Sequence, residues 1–135
     1  MKQLDTLAFD INQGSSGAVT FDAALTESGD VIEVVCSNNP DASIFITCTD
    51  EQLLTVTNLF KTGDIDEAKL DELHRVMLGL NPVIPLSSFA TMGDDYVLFG
   101  AMAVDTTLSN LCHELKTQAN NATDVLAELH EYLIS

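Results

Sequence analysis

The sequence is poor in basic residues and has no long apolar run. Its 5 Lys and Arg residues stand against 21 Asp and Glu residues, which gives the 135-residue chain a formal net charge of −16. Nucleic-acid binding and charge-driven attachment to anionic lipid both require basic surface, so we expect neither. No apolar segment approaches the roughly 20 residues of a transmembrane helix, so direct membrane insertion is not expected either.

Cysteine is also scarce. The three cysteines, Cys36, Cys48 and Cys112, form no C-x-x-C pair, which excludes a zinc knuckle and a thioredoxin-type redox pair. The first residues lack the apolar core of a secretory signal, and Asp5 and Asp10 lie where that core would be. We therefore predict reduced thiols and a cytoplasmic location.

Motifs that carry catalysis are missing. The only glycine-rich loop, 14–17, lacks the lysine of a Walker motif, and no G-x-S-x-G segment is present. The run Cys112-His113-Glu114 cannot bind one ion, because adjacent residues of a helix point in different directions. We predict no catalytic residue, no cofactor and no metal ligand, and a protein that is not an enzyme; an enzyme of unrecognised type is the alternative.

What the sequence does contain is a globular composition, with 46% hydrophobic and 19% charged residues. The length predicts a single domain over residues 1–135. In the first half, residues 3–12 place apolar side chains on one helical face. Residues 13–17 end that helix with turn chemistry, and strands are predicted at 18–25, 31–36 and 43–49, with turns between them. Residues 51–60 fit a helix partly, but Thr55-Val56-Thr57 favours a fourth strand.

The second half begins with a helix. Asp64 and Glu67 resemble a capping box at its start, and Pro82 lies beyond its end. Strands at 86–92 and 96–104 follow, joined by a Gly-Asp hairpin. A long apolar stripe then predicts helix from about residue 105 to 134, as one helix or as two separated at Asn120-Asn121.

This order predicts an α+β fold. The mostly antiparallel sheet would have five to six strands, with an N-terminal helix, a middle helix and a long C-terminal helix on the sheet. The opposite face of such a sheet can stay exposed, and exposed apolar surface would mark a contact with a partner or a second copy. The strand aromatics that could supply it are Phe21, Phe45, Phe89, Tyr96 and Phe99.

Acidic clusters offer a second hypothesis. Asp94-Asp95 could bind a divalent cation, although two acids more often solvate a hairpin tip. The dense acids at 64–72 are interpreted as favourable charges at a helix start on a wet face. A module that binds a small ligand or a divalent cation through these acids is therefore the alternative to a protein-binding role.

Two segments resemble a known family. Residues 80–89, with Pro-Leu-Ser-Ser-Phe, and residues 93–103, with Tyr-Val-Leu-Phe-Gly-Ala, are similar to the YjfI-like bacterial family, a domain of unknown function. The resemblance implies a type III secretion chaperone-like fold, which is α+β and dimerising. It also implies a link to envelope stress, because members tend to be encoded near homologues of phage shock protein A.

The sequence thus predicts a bacterial cytoplasmic interaction protein. It would act as a non-catalytic, chaperone-like adaptor with an unidentified protein partner, and as a homodimer. An apolar sheet face or helix groove would hold the partner, with the acids steering a basic one.

Overall fold

The computed structural model describes residues 4–134, which form one antiparallel sheet with helices packed on it. The helices are α1 (Leu4–Gln13), α2 (Leu70–Leu80) and α3 (Leu108–Leu129). The strands are β1 (Ser15–Ser16), β2 (Val19–Leu25), β3 (Ile32–Cys36), β4 (Asn39–Cys48), β5 (Gln52–Lys61), β6 (Ser88–Met92) and β7 (Asp95–Ala103). They lie in the order β1-β2-β3-β4-β5-β7-β6, and each neighbouring pair is antiparallel.

The predicted α+β class and the antiparallel sheet are confirmed, but the predicted five to six strands are wrong. The sheet has seven strands, because two residues of the predicted turn at 13–17 pair with β2 as β1. Residues 51–60 are a strand, as favoured. The predicted helical segment from 105 to 134 contains one continuous helix, α3, which begins at Leu108 and is followed by a 3-10 turn at His130–Tyr132. Gln3, the first residue of the predicted N-terminal helix, lies outside the described residues.

The predicted capping box at Asp64 and Glu67 is wrong. Ile65 is extended and forms an antiparallel bridge with Leu133, so α2 begins only at Leu70, after two 3-10 turns. Asp64 instead accepts a hydrogen bond from the Lys61 amide at 2.8 Å. The capping contact comes from Asp66, which accepts from the Ala68 amide at 3.2 Å. Burial of Ile65 against the C-terminal segment therefore overrides the local helix signal.

One face of the sheet, the covered face, carries all three helices in two apolar clusters. The first cluster packs α1 and the first half of α3 onto β2, β3 and β4. The second packs α2 and the second half of α3 onto β6 and β7. Their fully buried members include Ile11, Ile46, Leu73, Leu98 and Leu115. Because α3 belongs to both clusters, its apolar stripe spans the whole width of the covered face.

A buried polar contact lies under the middle of α3. Gln118 is 2% exposed, and its Oε1 accepts from the Thr55 hydroxyl at 2.7 Å. Its Nε2 donates to the Thr57 hydroxyl at 2.9 Å. The two threonines occupy helix-facing positions of β5, where alternation would otherwise place aliphatic side chains. These mutual bonds satisfy polar groups that would be costly to bury alone.

The two edges of the sheet differ. At the β2 edge, the Asn12 amide bonds both the N–H and the C=O of Ala23 at 2.7 Å, as a neighbouring strand would, and β1 covers the adjacent residues. At the other edge, β6 pairs with β7 on one side, and Asn81 Oδ1 accepts from the Phe89 amide at 2.7 Å. No helix within residues 4–134 has the length and hydropathy to cross a bilayer.

Candidate functional site

The face of the sheet opposite the helices, the open face, is apolar at its centre. The registers align one row of side chains across six strands, in the order Ala24, Glu33, Phe45, Val56, Phe99 and Ser88. Phe45, Val56 and Phe99 are half-buried, although their strand neighbours on the covered face are fully buried. Three adjacent strands therefore present large apolar side chains on a surface that the fold itself does not cover.

The open face is concave. Its residues enclose a trough of about 560 Å³. Every lining residue comes from a strand or a strand end, and no helical residue of the described chain contributes. The residues that line it are Val31, Phe45, Thr47, Leu54, Val56, Asn58, Ala90, Met92, Asp95, Val97 and Phe99. Asp95 is the sole charged side chain of this lining, so the trough can accept a large apolar surface.

Acids concentrate at one end of the trough. The register places the β2–β3 turn, the β4–β5 turn and the segment after β7 at the same end of the sheet. These connections carry the exposed acids that we call the acidic end, namely Glu27, Asp30, Asp50, Glu51 and Asp105. Glu33 adds a carboxylate beside Phe45, held by a 2.6 Å hydrogen bond from the Ser43 hydroxyl. The trough thus combines an apolar floor with a negative rim.

A second surface is distinguished by the absence of acids. Residues 73–93, the acid-free segment, contain no Asp or Glu, although 21 acids are distributed over the rest of the chain. The segment runs from α2 through the loop 81–87 to the end of β6. It carries Leu78, Val83, Leu86 and Met92, which are 71%, 72%, 48% and 56% exposed. A chain that is otherwise strongly negative therefore has one nearly uncharged, apolar region.

The acid-free segment forms a groove between α2 and the edge strand β6. The groove measures about 270 Å³ and is lined by His74, Met77, Leu78, Asn81, Phe89, Ala90, Thr91 and Tyr96. His74 Nε2 lies 2.7 Å from the Tyr96 hydroxyl, and the two rings stack with centroids 5.7 Å apart. Ala90 lines both this groove and the trough, so the two apolar surfaces meet at β6.

The loop 81–87 presents a strained residue. Leu86 has φ 63°, a left-handed conformation that a leucine rarely adopts, and its side chain is about half exposed. Asn121 of α3 fixes the loop, because its Nδ2 donates to the Pro85 carbonyl at 2.8 Å and to the Ser87 hydroxyl at 3.2 Å. Such strain persists where surrounding contacts impose it, and it is frequent at functional surfaces.

The residues considered for metal binding are dispersed. Within residues 4–134 no group of three or more His, Cys, Asp or Glu side chains could hold an ion. Asp95 lies 3.9 Å from the Lys61 ammonium, which is a weak contact because the lysine is largely exposed and the aspartate partly so. Cys112 is buried, His113 is exposed and Glu114 is half-buried, so they point in different directions, as predicted.

The buried thiols are poor nucleophiles. Burial, with a smaller contribution from the neighbouring Cys112, raises the pKa of the Cys36 thiol to about 12. Burial also raises the pKa of Cys112. Because the thiolate is the reactive form, both side chains are suited to packing at neutral pH.

Sequence reasoning identified part of this site. Of the five strand aromatics, Phe45 and Phe99 lie on the open face, whereas Phe21, Phe89 and Tyr96 are buried. It missed the acid-free segment, although the distribution of acids along the chain reveals it directly. It also missed Asn121, interpreted as a helix break, because the partners of its side chain lie 34 to 36 residues away.

Comparisons with known proteins identify a family and a similar fold. The model of a family described as uncharacterized and conserved in bacteria, DUF2170, matches residues 2–133. No curated protein matches the chain. A chain of the crystal structure of the ExsC–ExsE complex superimposes with a TM-score of 0.60 at 12% identity, covering 90% of this chain and 92% of that one. At this identity the likeness shows the fold alone.

Proposed function

We propose that this chain, which belongs to the bacterial family DUF2170, is a non-catalytic adaptor that holds a segment of a partner protein on its open face. The observation that carries the proposal is the uncovered apolar row of Phe45, Val56 and Phe99. Apolar surface of this extent is costly to leave in water, and soluble proteins that retain it use it for binding.

The fold likeness supports the same function. The neighbouring structure is titled as a complex between two proteins, ExsC and ExsE. A fold that can associate with another protein in that complex is a suitable scaffold for an adaptor.

The cellular setting that we propose follows from the resemblance to the YjfI-like family. We place the adaptor in the bacterial cytoplasm, within an envelope-stress pathway. Three unpaired cysteines, two of them buried, fit a reducing compartment.

The adaptor function is tested by crosslinking in living cells. A photo-reactive phenylalanine analogue replaces Val56 on the open face, and in a second strain it replaces Phe9, which is 65% exposed on α1. We expect one discrete crosslinked partner from position 56 and none from position 9, because only position 56 lies in the trough.

Two crosslinking results would count against the proposal. Equal crosslinking from both positions, or none from position 56 over the growth conditions tested, would contradict the adaptor function. Thermal melting of both substituted proteins establishes that the fold is intact in each.

We also propose that two copies associate through the acid-free segment. Most surfaces of a chain with net charge −16 repel a second copy, whereas residues 73–93 bring no carboxylate to the contact. The exposed side chains of Leu78 and Met92 lie on either side of the β6 edge and supply apolar area. A contact about a two-fold axis would let each copy cover the groove of the other.

Sedimentation equilibrium tests the dimer. Leu78→Glu places an acid in the groove, and Phe9→Glu is the matched control at a similarly exposed position on α1. We expect a dimer for the unmodified protein and for Phe9→Glu, and a shift of at least about tenfold toward monomer for Leu78→Glu, the cost of desolvating one unpaired charge. A monomeric unmodified protein at 100 µM, or a dimer insensitive to Leu78→Glu, contradicts this interface.

A further inference from the structure

We infer that the occupant of the trough is an amphipathic helix of a partner protein, with apolar residues on one side and Lys or Arg residues along its flanks. This inference rests on the proposed function and specifies the chemistry of the partner. Three features of the open face support it, namely its shape, its charge and its unsuitability for a second copy.

The shape favours a helix over an added strand. Phe45, Val56 and Phe99 lie on strands that pair on both sides, so their backbone groups are already used in the sheet. The floor therefore offers side chains and not a hydrogen-bonding edge. From Leu54 to Asn58 along β5 the trough extends about 13 Å, the length of roughly two and a half helical turns. A docked helix would complete a layer equivalent to the one that α1 and α3 form on the covered face.

The charge favours basic flanks. The five carboxylates of the acidic end, with Glu33 beside Phe45, border the apolar floor. Lys61, one of the chain's five basic residues, contacts Asp95 at the opposite end of the trough. Uncompensated negative potential at a rim accelerates and orients the approach of a cation-bearing segment.

The same charge argues against a second copy on this face. Two open faces in contact would bring together both acidic ends if the two-fold axis ran along the strands, or both Glu33 side chains if it ran across them. Like-charge contacts of either kind cost free energy. The acid-free segment carries no such cost. The two apolar surfaces that meet at β6 therefore suit different occupants, a second copy at α2 and a basic helix in the trough.

Peptide binding tests the inference directly. The probe is a fluorescein-labelled 18-residue helix with leucines on one face and lysines on the other, titrated with the full chain and followed by fluorescence anisotropy. The controls are a scrambled peptide of the same composition and a peptide with glutamate in place of each lysine. We expect the lysine helix to bind at least about tenfold more tightly than either control, with an affinity that falls several-fold between 50 and 300 mM NaCl.

Variants locate the binding surface. Phe99→Ser, and separately Val56→Ser, should weaken the lysine helix at least about tenfold, whereas Phe9→Ser on α1 should leave its affinity unchanged. Two separate serine variants are made so that the test survives if one of them does not fold, and circular dichroism reports the folding of each.

The double change Asp50→Asn with Glu51→Gln at the acidic end should reduce both the affinity for the lysine helix and the salt dependence of its binding. The same change at Asp124 and Glu128, which are exposed on α3, should alter neither the affinity nor the salt dependence.

Several outcomes would overturn the inference. Equal binding of the scrambled peptide indicates attraction of opposite charges only, and equal binding of the glutamate peptide indicates an apolar site without charge preference. Binding unaffected by both serine variants places the helix elsewhere. If crosslinking at position 56 identifies a partner whose attached segment is neutral or acidic, the adaptor function stands and the basic helix is wrong. If no crosslink forms, the adaptor function itself fails.

Discussion

The two faces of the sheet are built from the same strands and from similar residue types, but they differ in burial. In β4, Ile46 points to the covered face and is fully buried, and Phe45 next to it points to the open face and is half-buried. In β5 the covered face carries Leu53, Thr55 and Thr57, and the open face carries Leu54 and Val56. The difference arises from the helices, which lie on one side only.

Successive residues of one strand therefore serve different purposes, with one contributing to stability and the next to binding. Apolar burial stabilises the fold in proportion to the area removed from water, so covered positions contribute most of that free energy. Open positions such as Phe45 and Val56, which keep part of their area in water, contribute less until a partner covers them. Substitutions at alternate residues of one strand should therefore change different properties.

The largest expected effect tests this separation in β4. Ile46→Ala removes a fully buried side chain and should lower the free energy of unfolding by about 2–5 kcal/mol, including the cost of the cavity. Phe45→Ala removes a larger side chain that keeps part of its area in water, and it should cost less than Ile46→Ala in the isolated protein. Urea denaturation measures both, and equal losses would contradict the division between the faces.

The next effect concerns the polar contact on the covered face. Gln118→Ala leaves the Thr55 and Thr57 hydroxyls without their amide partner and opens space under α3, which should cost about 1–3 kcal/mol. Gln13→Ala, at an exposed position of α1, is the control and should change stability by less than about 0.5 kcal/mol. A tolerated Gln118→Ala would show that the covered face does not depend on this contact.

A smaller effect of opposite sign is expected in the loop 81–87. Leu86→Gly removes the side chain that makes φ 63° unfavourable and should raise the free energy of unfolding by up to about 1 kcal/mol. Val83→Gly in the same loop, where φ is not left-handed, should lower it. Thermal melts compare the two, and we expect Leu86→Gly also to weaken self-association, because Leu86 belongs to the acid-free segment.

The smallest effect is a pH dependence at Glu114. Desolvation raises the pKa of this carboxyl, opposed by a smaller effect of His113 that lowers it. A raised pKa in the folded state means that the protonated acid is favoured, so stability is fully present below the ordinary value of 4.5 and is lost as pH rises through the folded pKa.

Glu114→Gln keeps a neutral side chain at every pH. It should raise the melting temperature by at most about 3 °C at pH 7, and the gain should disappear below pH 4.5. A gain that persists unchanged at low pH would assign the effect to packing and not to charge.

The sequence predicted most of the helices and strands because their signals are local. Alternation located β2 through β5 and β7, and the three-to-four-residue stripe located α3. Two failures depend on distant partners. Leu86 continued the apolar pattern of the predicted strand at 86–92, but the anchor from Asn121 of α3 holds its loop outside the sheet. Ile65 lay inside the predicted helix but pairs with Leu133.

The site was harder to predict than the fold. Alternation shows that Phe45 and Ile46 face opposite sides, but it does not show which side the helices will cover. That choice depends on how α1 and α3 return to the sheet from distant parts of the chain. The excess of acids is visible in the sequence. Their clustering at one end of the trough depends on the strand register, which brings three separate connections together there.

The shared helix α3 also constrains the order of events during synthesis. The first apolar cluster needs Leu111, Leu115 and Ala119, and the second needs residues as far as Leu129. The strands up to β7 are therefore made before the helix that shields them, and both sides of the nascent sheet are temporarily apolar. Until residue 129 has left the ribosome, the chain is aggregation-prone and benefits from the protection of a general chaperone.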